Sequence, residues 1–130
     1  MSMPMHQRIG LRGEQLTARY LRKKRYLIYS AGFATKLGET DIVAYHPKTK
    51  TLCFVEVKTR SPGVLLPPSD AVDRQKQNRL LNNAAAFIKI FNKPYEKIRF
   101  DIAEVILHDM DHADIHIIEN AFGDRAFGDF

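Results

Sequence analysis

The sequence predicts an α/β fold in which helices cover a mixed sheet. Three observations carry this. A helical apolar period runs from about Gly10 to Lys24, a second runs from Asp73 to about Phe91, and five short β-forming runs are distributed around them. The resulting order is helix, three strands, helix, two strands. Nearly all the strands are apolar on both sides, as a sheet with helices on its faces requires.

On a wheel of about 100° per residue, Leu11, Leu16, Ala18, Tyr20 and Leu21 fill one sector of the first helix, and Arg12, Gln15, Arg19, Arg22 and Lys23 fill the other. Glu14 falls in the apolar sector. A carboxylate there either has a partner, or sits near the first helical turn and interacts with the helix dipole. Tyr26 to Ala34 reads as the first strand, with its glycine marking a bend, and Lys36 to Gly38 turns the chain. Asp41 to Tyr45 and Leu52 to Lys58 form a hairpin around "HPKTKT". "SPGVLLPPSD", from Ser61, is a loop running off the charged end of that hairpin, where binding sites are often shaped. Asp73 caps the second helix and Pro94 ends it. Ile98 to Leu107 and Ile115 to Asn120 complete the sheet, joined by "HDMDHAD".

With 130 residues, 45% of them hydrophobic, the chain fits one domain over 1–130, with 1–8 and 123–130 as loose tails. No apolar run approaches the roughly 20 residues of a membrane span, and Met1 to Gly10 lacks the apolar centre of a secretory signal. A cytoplasmic protein without a membrane partner is expected. Cys53, the single cysteine, has no disulfide partner and reads as a small buried apolar residue. Twenty basic against fifteen acidic residues give a net charge of +5, which favours polyanionic partners. The basic residues gather in "RYLRKKRY", "VKTR" and "DRQKQNR". Any one of these clusters is equally well a solvated helix face.

The hairpin carries charges where a core is expected. Glu56 and Lys58 share a strand face with Leu52 and Phe54, while Cys53, Val55 and Val57 face the other way. A turn centred between Lys48 and Thr49 sets Tyr45 opposite Leu52, Val43 opposite Phe54, and Asp41 opposite Glu56. Facing carboxylates about 5 Å apart repel and need a cation or a shared proton. All-oxygen ligation with few carboxylates suits Mg²⁺ or Mn²⁺, which accept phosphate oxygens. Lys58 would then hold the attacking water or a phosphate oxygen. Two bland alternatives stand beside this reading. Lys58 could form a simple salt bridge with Glu56 or Asp41, and a register slip of one residue would separate the acids onto opposite faces.

"GEQLTARYL", "GETDIVA" and "FVEVKTR", with Arg99-Phe100-Asp101, together resemble the YraN-like family of small bacterial proteins. That family is similar to the PD-(D/E)XK nuclease superfamily and especially to its archaeal Holliday-junction resolvases. The resemblance covers about Ile9 to Phe122. It implies a restriction-endonuclease-like core of α-β-β-β-α-β order with an extra C-terminal strand. It also implies Asp41, Glu56 and Lys58 as catalytic residues, and Glu14, Asp41 and Glu56 as ligands of Mg²⁺ or Mn²⁺. Thr40 stands where the motif has proline. The activity implied is that of a metal-dependent endonuclease-like phosphodiesterase on nucleic acid, DNA ahead of RNA, structure-selective or non-specific. The alternative is a nucleic-acid-binding module of the same fold that has lost useful catalysis. Resolvase-like relatives commonly act as homodimers, although no helical stripe is left over here for an interface.

Arg60 shares the strand phase of Lys58 and is a phosphate-contact candidate, as are Lys76 and Arg79 in the first turns of the second helix. Glu39 shares a face with Asp41 and is either a further acid of the site or a solvated turn residue. His108, His112 and His116 have the four-residue spacing of zinc ligands on a helix, but their surroundings read as strands and a turn.

Overall fold

The computed structural model describes residues 3–62 and 73–122 and has the predicted α/β architecture. In chain order the elements are α1 (Met5–Lys23), β1 (Leu27–Thr35), β2 (Gly38–His46), β3 (Thr51–Arg60), α2 (Arg74–Ile90), β4 (Lys97–Asp109) and β5 (His112–Phe122). The five strands lie side by side in sequence order. β3 and β4 are parallel, with α2 in their crossover, and the other neighbours are antiparallel, so the sheet is mixed. Among the described residues no helix is long and apolar enough to cross a membrane.

Strand alternation divides the core between the two helices. Ile42, Ala44, Cys53 and Val55 pack with Ala18 and Leu21 of α1. Val43, Tyr45, Leu52 and Phe54 pack with Ala84 and Phe87 of α2. Each fully buried aliphatic or aromatic side chain contributes about 1.5–3 kcal/mol relative to exposure. The hairpin therefore anchors both layers at once. A buried polar side chain ties α2 to the sheet. The fully buried Asn83 donates to the Phe33 carbonyl and the Thr40 hydroxyl, each at 3.0 Å, and accepts the Thr35 hydroxyl at 2.6 Å.

Several boundaries differ from expectation. α1 begins at Met5, not Gly10, so residues 5–8, expected to be a loose tail, are helical. Pro4 occupies the N-cap, and its carbonyl accepts the Gln7 and Arg8 N–H groups. Residues 5–8 are all exposed, so no apolar period marks that turn in the sequence. β4 and β5 also run further than expected, leaving Met110 and Asp111 as the turn. The Asp109 carboxylate accepts the Asp111 and His112 N–H groups and holds that turn. Asp73 caps α2 as predicted, its carboxylate accepting the Lys76 N–H at 2.8 Å. Residues 63–70 of the expected loop, and the tail from 123, lie outside the described residues.

Candidate functional site

The β2–β3 ladder has the register the sequence predicts, running from His46↔Thr51 to Ile42↔Val55. Beyond Ile42 the two strands part, while β2 stays paired with β1 through Thr40, Glu39 and Gly38. α2 supplies the physical reason. Asn83 holds Thr40, and Gly38 lies so close to the Arg79 carbonyl that a β-carbon there would stand 3.0 Å from it. In the opened gap the Asp41 carboxylate, not a β2 carbonyl, accepts the Val57 N–H at 2.8 Å.

The parting of β2 from β3 admits side chains from both sheet faces. Glu56 belongs to the α2 face and Glu14 to α1, yet both influence Asp41. Its pKa is pushed up to about 7, first by burial and then by the charge of Glu56, with a smaller contribution from Glu14. The Val57 N–H opposes the rise. Asp41 and Glu56 come within hydrogen-bonding reach, and a proton on Asp41 would relieve the repulsion between them. Glu14 is also raised, by burial and by the charges of Glu39 and Glu56.

Two ammonium groups approach Glu56, which is buried. Its Oε1 lies 2.7 Å from Lys76 Nζ and 3.5 Å from Lys58 Nζ. Burial and the neighbouring Lys76 lower the pKa of Lys58. Burial acts against the charge on Lys76 too, but its bonds to Glu56 and Lys58 prevail and its pKa is raised.

Glu14, Asp41, Glu56, Lys58 and Arg60 line one cleft of about 490 Å³. Glu39 does not line it. It lies with Lys76 and Arg79 in an adjoining depression, and its charge reaches Glu14. Asp41 and Glu56 could hold a cation, with Glu14 as a nearby acid. Among the described residues no three His, Cys, Asp or Glu side chains converge on a single point as ligands. Two neighbouring carboxyls, with Asp41 raised by burial and by the charge of Glu56, nevertheless fit a hard dication that completes its shell with water.

Other groups have structural roles. His108 pairs with Asp114 and His112 with Asp109, both on the exposed β4–β5 hairpin, while His116 faces Glu104. These histidines are spread over two strands, so the helical spacing does not bring them together as zinc ligands. The Cys53 thiol is pushed up to about 12 by burial and by Asp101, which leaves it inert. Arg99 and Asp101 form a charge-assisted pair that also engages the Tyr26 hydroxyl, and this network lies apart from the cleft around Asp41. Sequence reasoning missed two features of the site. One is Asn83, since one buried polar residue in an apolar helix face leaves no periodic mark. The other is the Lys76–Glu56 pair, whose only sequence signal is a lysine placed three residues after the Asp73 cap.

Comparison with known proteins places the chain among small bacterial proteins of matching length. A UPF0102 protein of Alkaliphilus metalliredigens is 42% identical over 118 residues, covering 91% of this chain and 100% of that one. A second, from Alkaliphilus oremlandii, is 40% identical over 121 residues with the same coverage. One from Dictyoglomus thermophilum is 40% identical over 99 residues, covering 76% of this chain and 82% of its own. A family profile described as "Uncharacterised protein family UPF0102" matches residues 13–105, which span Glu14, Asp41, Glu56, Lys58 and Lys76. With that match over most of its length, the chain belongs to the UPF0102 family.

Proposed function

We propose that the chain is a metal-dependent phosphodiesterase of PD-(D/E)XK type, acting on cytoplasmic nucleic acid, DNA ahead of RNA. The observation that carries this reading is the approach of the Asp41 and Glu56 carboxyls to each other in a cleft shared with Lys58, just past the last paired position of β2 and β3. Asp41 and Glu56, with Glu14 beside them, would hold Mg²⁺ or Mn²⁺. A bound ion would supply Lewis acidity toward the scissile phosphate and toward a water. Lys58 holds the attacking water. Its lowered pKa brings proton exchange at Nζ nearer to neutral pH. Arg60, in the same cleft, and Arg79, in the depression beside it, bind backbone phosphates, which makes affinity salt-sensitive and independent of base sequence.

The test incubates the protein with branched, single-stranded and duplex DNA in Mg²⁺ or Mn²⁺, beside Glu56→Gln and Lys58→Ala. Cleavage by the unsubstituted protein alone is expected. Equal cleavage in all three would trace the activity to a contaminant and sink the assignment. Salt-sensitive binding without cleavage selects the second reading, a binding module of the same fold. The Lys76 ammonium on Glu56 favours that module, because it neutralises one of the two facing acids.

A further inference from the structure

We propose that Lys76 is a displaceable counter-ion: it neutralises Glu56 while the acids carry no dication, and when Glu56 turns to a dication it is released to a nucleic-acid phosphate. This rests on the dication-binding reading above. It adds a residue that couples metal and nucleic acid in one site.

The first ground is competition for one oxygen. Glu56 Oε1 takes Lys76 at 2.7 Å, the length of a full charge-assisted contact, and Lys58 at 3.5 Å. A dication ligated by Glu56 meets both ammoniums there, and the closer one has to leave. The second is formal charge. A dication brings two positive charges to a cluster in which the ammoniums of Lys58 and Lys76 already stand beside the acids. Releasing one lysine offsets part of that charge.

The third ground identifies which lysine leaves. Lys58 is tied to β3 two residues from Glu56 and stays at the carboxylate through its own strand. Lys76 comes from α2, where Asp73 fixes only its backbone, and its side chain is 34% exposed. It also lines the adjoining depression with Arg79 and Glu39. An ammonium swung out of Glu56 therefore joins Arg79 on the helix surface, where a phosphate is met by two cations against one carboxylate.

The experiment titrates Mn²⁺ into the nucleic-acid-free protein by electron paramagnetic resonance, for the unsubstituted chain, Lys76→Gln, Lys76→Arg and Glu56→Gln. Thermal melts confirm that each is folded. Lys76→Gln should bind Mn²⁺ at least about threefold more tightly, the scale of one partly exposed ion pair removed, and Lys76→Arg should stay near the unsubstituted value. Duplex binding is then measured by fluorescence anisotropy in Ca²⁺ and in EDTA at matched ionic strength. Ca²⁺ should strengthen binding several-fold for the unsubstituted protein and by less for Lys76→Gln. Equal or weaker Mn²⁺ binding by Lys76→Gln, with Glu56→Gln still losing it, overturns the role of Lys76 alone. No Mn²⁺ binding by any of the four proteins overturns the metal reading as well.

Discussion

Asp41 accepts the Val57 N–H at 2.8 Å through its side chain, at the point where β2 leaves β3. The carboxylate thus closes the ladder and faces the acids of the cleft, which separates two effects of substitution. Asp41→Ala leaves the Val57 N–H without its partner and should cost about 1–3 kcal/mol in urea unfolding. Asp41→Asn keeps an accepting oxygen and removes a carboxyl that burial disfavours, so its stability should match or exceed that of the parent. Both should lose Mg²⁺-dependent cleavage. A stable Asp41→Asn that still cuts would remove Asp41 from the metal-binding role.

The raised pKa of Asp41 gives a pH dependence whose sign is fixed. The folded value of about 7 lies above the ordinary value of 3.8. The stability this group contributes is therefore complete below the unfolded pKa and is lost as pH rises through about 7. In EDTA, the stability of the parent relative to Asp41→Asn should fall between those values, by at most about 1.4 kcal/mol per pH unit. Excess Mg²⁺ selects the ionised carboxylate and should flatten the fall. Chemical denaturation of both proteins across that range checks it, and a difference independent of pH would contradict the burial of an uncompensated acid.

The sequence carried the hairpin register because alternation on two buried faces admits only one pairing, and Val43↔Phe54 and Tyr45↔Leu52 fix it. The approach of Asp41 to Glu56 lies one position past the last observed pair, Ile42↔Val55, where that register points. The separation of β2 from β3 beyond Ile42 was not legible, since it depends on a tertiary contact between Thr40 and Asn83, residues far apart in the chain. That separation lets Glu14, on the opposite helix, act on Asp41. The first turn of α1 and the ends of β4 and β5 were missed for a simpler reason. At residues 6–8, 108–109 and 112–114 most side chains are exposed and polar, so hydrophobic periodicity is silent there.

Asn83 is the contact on which the opening of the strands depends. Asn83→Ala removes two donated bonds and one accepted bond from a fully buried site, and leaves the Phe33 carbonyl and the Thr35 and Thr40 hydroxyls without that partner. A loss of about 2–4 kcal/mol is expected. Cleavage should fall beyond what unfolding explains, because Thr40 then no longer holds β2 away from β3. Cleavage measured well below the variant's melting temperature tests this. Normal activity there would show that the opening does not depend on α2.

Gly13 lies in α1, where a glycine-to-alanine change ordinarily stabilises by up to about 1 kcal/mol. Here the sign should reverse. A β-carbon at Gly13 would stand 1.8 Å from Thr59 Oγ1 and 2.9 Å from Thr59 Cβ, because α1 passes directly over β3 at this point. Gly13→Ala should therefore cost about 1–3 kcal/mol, the usual scale of overpacking, and displace Glu14 relative to Asp41. Thr59→Ala alone should be close to neutral, since its buried hydroxyl has no hydrogen-bond partner to lose. Combined, the two substitutions should recover part of the loss and not all of it. Residue 59 keeps its β-carbon in the double variant, and 2.9 Å remains too short for two carbons. A double-mutant cycle by thermal unfolding measures this coupling, and additive losses would show that α1 and β3 do not meet at Gly13 and Thr59.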